Sequence, residues 1–183
     1  MDQTLFLPKG GGQLADGGWI DQIEVSQVFC EHDVIWHQVS RLPVSDHVTL
    51  QLDKDRRQLH SRLHSAGHLL GALGEQFGLQ ATKAQHWPGN AYVSFTLPSE
   101  IPPIDLSEWQ QLLNQRILDD LNCKIEMKES GRHVAFGNHP GYRCGGTHVQ
   151  STREIGPVDL YKVKVKSGVL TVCYRLQGDI ECC

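Results

Sequence analysis

His64 and His68 stand four residues apart, and much later in the chain Cys144 and His148 repeat that spacing. On a helix, positions i and i+4 share one face, so both imidazoles of the first pair can reach one ion. In the second pair, Gly145 and Gly146 let the backbone turn tightly enough for a thiolate and an imidazole to converge. Three imidazoles and a thiolate form a borderline-soft donor set that suits Zn²⁺. Spacing leaves one ambiguity, because His60 extends the ladder and could pair with His64 instead. A bare ladder of this kind also reads as a polar surface stripe, and Cys144 alone reads as a small buried hydrophobe. The distant Cys-x3-His pair is what tilts the balance toward a metal. Glu154 follows closely; it could brace a ligand histidine or simply face solvent, and the sequence weighs the two evenly.

These residues need elements to position them. From about Asp55 to Phe77 no proline occurs, and Leu59, Leu63, Leu70, Leu73 and Phe77 fall at helical spacing. Gly78 is a natural C-terminal stop. Gly67, Gly71 and Gly74 weaken this helix by up to about 1 kcal/mol each, which makes sense only if something packs closely against them, such as a sheet. Ala91 to Leu97 alternates as a strand with Val93, Phe95 and Leu97 on one face, and Pro102-Pro103 breaks it. Asp105 with Glu108 predicts a capping box before a second helix from Leu106 to about Leu121, with Trp109, Leu112, Leu113, Ile117 and Leu121 buried. Lys124 to Lys128 alternates again, predicting Ile125 and Met127 inward. Val158 to Lys166, Ser167-Gly168 and Val169 to Leu176 read as a hairpin.

Upstream, the segment before Asp53 reads as short strands. Ile20, Ile23, Val25 and Val28 suggest one strand with an irregular step, Val34 to Val39 a second, and Val48, Leu50 and Leu52 a third. Turn formers lie between them at Glu31-His32-Asp33 and from Pro43 to Asp46. The expected class is α+β, with a small, truncated β-barrel-like unit over residues 1–52. A domain over residues 53–183 follows, in which helices lie on an antiparallel sheet.

Composition bounds the function. The 183 residues are 39% hydrophobic and 21% charged, enough for a core and unlike a disordered tail. A formal charge of −4 argues against whole-surface nucleic-acid binding, though a local basic face is compatible with it. Lys162, Lys164 and Lys166 alternate with Val163 and Val165; they could meet phosphates or guard an edge strand from aggregation, and the second explanation is preferred. No run approaches the roughly 18 apolar residues of a membrane span, so no membrane partner is expected. The N-terminus lacks a secretory pattern, so a cytoplasmic protein is expected. Its six cysteines then read as thiols or ligands rather than disulfides. Cys182 and Cys183 read as exposed thiols on a loose tail.

RLHSAGHLL (Arg62 to Leu70) and YRCGGTHVQSTREIGPV (Tyr142 to Val158) resemble the two signatures of the alanyl-tRNA synthetase editing domain and of its stand-alone relatives, the AlaX family. FLPKGGGQLADGGWI (Phe6 to Ile20) is similar to the glycine-rich segment of the β unit that precedes that domain. The resemblance implies the threonyl/alanyl-tRNA synthetase editing-domain type of fold. It also implies a zinc site made of His64, His68, Cys144 and His148, leaving His60 outside. The implied activity is hydrolysis of mischarged aminoacyl-tRNA(Ala) in trans, with Ser-tRNA(Ala) the first candidate and Gly-tRNA(Ala) the second. Two rivals remain: a same-fold hydrolase of another aminoacyl ester, and a zinc-stabilised RNA-binding module without catalysis. Ser65 stands where the family usually carries Thr. The strand after the first helix helps such proteins sense the amino acid, which makes Thr82, Gln85 and His86 pocket candidates beside Ser65.

Overall fold

Asp53 stops the extended chain and starts the first long helix: its carboxylate accepts from the Arg56 N–H, and α1 runs from Lys54 to Gln76. The computed structural model describes residues 3–98 and 104–178. Leu63, Leu69, Leu70 and Leu73 on α1 are buried. The helix closes at Phe77, and Gly78 (φ 78°) takes the left-handed position just beyond.

The sheet beneath α1 has the order β10-β11-β6-β5, all antiparallel, with β5 at Gln80–Trp87, β6 at Asn90–Thr96, β10 at Val158–Lys166 and β11 at Val169–Leu176. Val93, Phe95, Val172 and Tyr174 rise from it into a core shared with both helices. Gly67 and Gly74 make this approach possible. A Cβ on Gly67 would collide with the His86 ring, and one on Gly74 with the Phe95 ring. The second helix, α2 (Leu106–Leu118), packs Trp109, Leu113 and Ile117 into the same core. Its Asn114 donates to the Val158 carbonyl and accepts from the Val158 N–H, which fixes α2 to β10.

Four features differ from the sequence expectations. Leu112 is exposed, and α2 ends at Leu118 because Asp120 adopts a left-handed backbone (φ 56°). Asp105 caps α2 by accepting from the Ser107 and Glu108 N–H groups, while the reciprocal capping box sits at Ser151 and Glu154, on the 3-10 turn Thr152–Ile155. Ile125 and Met127 are exposed, at 56% and 77%. They lie on β7 (Cys123–Lys128), the edge of a separate three-stranded sheet with β8 (Gly131–Phe136) and β9 (Tyr142–Arg143), so alternation there does not mark burial. The predicted irregular strand is two strands, β1 (Gly18–Ile20) and β2 (Ile23–Glu31). Asp21 and Gln22 (φ 47° and 66°) form a two-residue turn between them.

With β3 (Val34–Val39) and β4 (Leu50–Leu52), these strands make a third antiparallel sheet, β3-β2-β1-β4, around its own small core of Phe6, Ile20, Val25 and Val28. The whole is α+β, with two helices and three antiparallel sheets among the described residues. Asp16 is buried and grips Arg57 of α1, and the Gly12 carbonyl accepts from the His86 N–H at 2.9 Å. The glycine-rich segment is thereby seated between α1 and β5. Among the described residues, no helix is long and apolar enough to cross a membrane. Pro102-Pro103 and Cys182-Cys183 lie outside the described residues.

Candidate metal centre and the cavity beside it

One turn of α1 separates His64 from His68, and both project toward the loop that follows β9. That loop is held from behind. The Arg132 guanidinium donates to the carbonyls of Cys144 (2.7 Å) and Gly146 (3.0 Å), and the Arg132 carbonyl accepts from the Cys144 N–H. Gly146 is needed because a Cβ there would strike His64 and its partner Gln13.

The result is a tight cluster in which one donor atom each from His64, His68, Cys144 and His148 lies within 4.8 Å of all the others. Cys144 Sγ is 3.3 Å from His64 Nε2 and 3.8 Å from His148 Nε2, and His148 Nε2 is 3.3 Å from His68 Nε2. A zinc tetrahedron with Zn–N of about 2.0–2.1 Å and Zn–S of about 2.3 Å has edges of roughly 3.3–3.6 Å. The donor set and its spacing therefore fit such an ion. His60 is buried but takes no part in the cluster.

Burial sets the resting charge of the cluster. It lowers the proton affinity of His64, with His86, His148 and His68 adding to the effect. It brings His68 to about 4 and His86 to about 3, and it lowers His148 as well. The imidazoles are thus neutral at pH 7 and offer lone pairs. Burial pushes the Cys144 thiol up, opposed by the Gly146 N–H, 3.4 Å from Sγ, and by Arg132.

Gln13 was missed as a functional side chain. It is fully buried, and its Oε1 accepts from His64 Nδ1 at 2.7 Å and from the Thr147 N–H at 3.0 Å, while its Nε2 donates to Thr147 Oγ1. This contact puts the His64 proton on Nδ1 and turns the Nε2 lone pair toward the other donors. The available signal was a long polar residue directly after three glycines. Glu154, in contrast, is turned away: its carboxylate accepts from the Gln150 and Ser151 N–H groups as part of the cap. The bracing role, one of two readings of Glu154, falls to Gln13.

A cavity of about 300 Å³ opens beside the donors, lined by His64, His68, Cys144, Thr82, His86 and Arg143 among others. Of the pocket candidates, Thr82 and His86 reach it. Ser65 does not line it; its buried hydroxyl donates to the Ser61 carbonyl and accepts from the Val149 N–H, joining α1 to the metal loop. Nor does Gln85, which donates across the β5-β6 turn to the Asn90 carbonyl. Both placements depart from expectation for one reason: local backbone groups satisfy the side chain first. Lys162, Lys164 and Lys166 are exposed on β10, the edge strand of its sheet.

A helix bearing His-x3-His, held against a Cys-x3-His loop over an antiparallel sheet, defines an α+β protein with a candidate metal site and a cavity beside it. No protein-family model matches the chain. It is 30% identical to the alanyl-tRNA editing protein AlaX-M of Pyrococcus horikoshii, over 88% of this chain and 78% of that protein. It is also 30% identical to the alanine–tRNA ligase of Streptomyces avermitilis and 31% identical to that of Methanocorpusculum labreanum, over 92% of this chain in both cases. The chain spans 23% and 22% of the length of these two ligases. The chain belongs to the AlaX family of alanyl-tRNA editing proteins.

Proposed function

We propose that this chain hydrolyses the ester linking a wrong amino acid to tRNA(Ala), with the seryl ester first and the glycyl ester second. The observation that supports this reading is the position of the cavity, which opens beside the donor cluster where an ester would have to lie. Four protein donors are the usual pattern of a closed structural zinc site, so what favours catalysis here is the cavity that opens beside them. His64, His68, Cys144 and His148 would hold the zinc ion, which when bound supplies Lewis-acid polarisation and eases deprotonation of water.

The chain's own residues do the rest. Gln13 orients His64, and Arg132 holds the loop that presents Cys144 and His148. Lys83 and Arg143 line the cavity and bring positive charge to its mouth, where the phosphates of a tRNA 3′ end would pass. This local charge suits an acceptor end despite the net charge of −4. We carry forward the division into a β-rich unit, 1–52, and an editing domain, 53–183, with Gln13 reaching from the first into the site of the second.

The test charges tRNA(Ala) and tRNA(Thr) separately with Ser, Gly and Ala and follows deacylation. The proposal expects turnover of Ser-tRNA(Ala), slower turnover of Gly-tRNA(Ala), and sparing of Ala-tRNA(Ala). Preference for the tRNA(Thr) esters would mark a different editing substrate, and no turnover would leave an RNA-binding module.

A further inference from the structure

His86 is a buried imidazole on β5 that lines the cavity, and its ring stacks on His64 with centroids 4.2 Å apart. Its Nδ1 is 2.6 Å from the Tyr174 hydroxyl. That hydroxyl donates its one proton to the Leu63 carbonyl at 2.9 Å. It therefore meets His86 as an acceptor, and the His86 proton must sit on Nδ1. Nε2 is left as a bare acceptor, and it makes no hydrogen bond among the described residues. The ring is held by the Tyr174 hydrogen bond and by stacking on His64, and it occupies space that a Cβ on Gly67 would need.

We propose that His86 Nε2 is the specificity-determining acceptor of this site, taking a hydrogen bond from the hydroxyl of a seryl group whose ester lies against the donor cluster. This rests on the deacylase reading above. An alanyl group fills the same space but offers no donor, so it covers the Nε2 lone pair without pairing it. A site built to hydrogen-bond a hydroxyl discriminates far better than one that merely accommodates it. Thr82 and Lys83 are the other polar cavity residues on β5; the Thr82 hydroxyl already donates to the Ser94 carbonyl at 3.3 Å, and the Lys83 ammonium has no acceptor to offer.

Two variants separate the edges of the ring. His86→Asn retains a polar group toward Tyr174 and removes the acceptor facing the cavity. His86→Gln places an amide oxygen where Nε2 was. Binding is measured with 3′-L-serylamino-3′-deoxyadenosine and its alanyl counterpart, which cannot be hydrolysed at the amide on the assay timescale. The Ser-to-Ala ratio of kcat/KM is measured in parallel on charged tRNA(Ala). Wild type should bind the seryl compound about 10- to 100-fold more tightly than the alanyl one. The Asn variant should lose that preference in both assays with unchanged zinc content, and the Gln variant should recover part of it. Equal binding of the two compounds by wild type, or an unaltered preference in the Asn variant, overturns the role of His86. If wild type deacylates no seryl ester at all, the underlying reading fails too, and that outcome is told apart by the missing turnover.

Discussion

At the scale of single residues, the four donors were legible because two short spacings and two glycines carry the geometry on their face. Gln13 was not, because a contact between residues 51 positions apart leaves no periodic trace. Its removal tests the brace directly. Gln13→Ala should weaken zinc affinity or activity about 10- to 100-fold, measured by chelator competition, with the fold retained by circular dichroism. Cys144→Ala removes a donor outright and should abolish both zinc retention and deacylation. Ser65 and Gln85, read as pocket candidates, do not line the cavity, and the reason is informative. A serine in a helix readily bonds the carbonyl four residues back, and Ser65 does so with Ser61.

At the scale of elements, both helices and the C-terminal hairpin followed from apolar spacing and caps. Failure came where alternation met an edge: β7 alternates in sequence, yet Ile125 and Met127 stay exposed because nothing among the described residues covers that side of its sheet. The glycines of α1 were read as needing a close neighbour, and His86, Tyr142 and Phe95 supply it. Gly67→Ala should therefore displace His86 and destabilise the fold by about 1–3 kcal/mol, seen as a lower unfolding midpoint in urea. Gly78→Ala, where a Cβ meets nothing but the backbone is left-handed, should cost about 1 kcal/mol. Zinc affinity should change in the first variant and not in the second.

At the scale of the whole molecule, the β3-β2-β1-β4 sheet and the helix-covered β10-β11-β6-β5 sheet have separate apolar cores, joined by polar contacts through Asp16-Arg57 and Gln13. The sequence revealed the two patterns but not this seam. The buried histidines give the molecule a pH dependence whose sign is fixed. His68 and His86 bind protons more weakly folded (about 4 and about 3) than unfolded, near 6.5. The unfolded chain therefore binds more protons as pH falls below about 6.5, and stability drops with it. Metal-free protein should show a constant unfolding midpoint from pH 8 to 7 and a progressive fall from about pH 6.5 toward 4. A midpoint that rises over that interval would show the histidines to be charged in the folded state.

The central claim joins the donor cluster to ester hydrolysis, and one measurement reaches it directly. Single-turnover deacylation of Ser-tRNA(Ala) is followed with protein stripped of metal and then reloaded with one equivalent of zinc, beside Ala-tRNA(Ala) as the cognate control. The account predicts loss of seryl-ester hydrolysis on stripping and its return at one zinc per chain, with the alanyl ester spared throughout. Equal rates in stripped and reloaded protein, or no seryl-ester hydrolysis when zinc is bound, would contradict it.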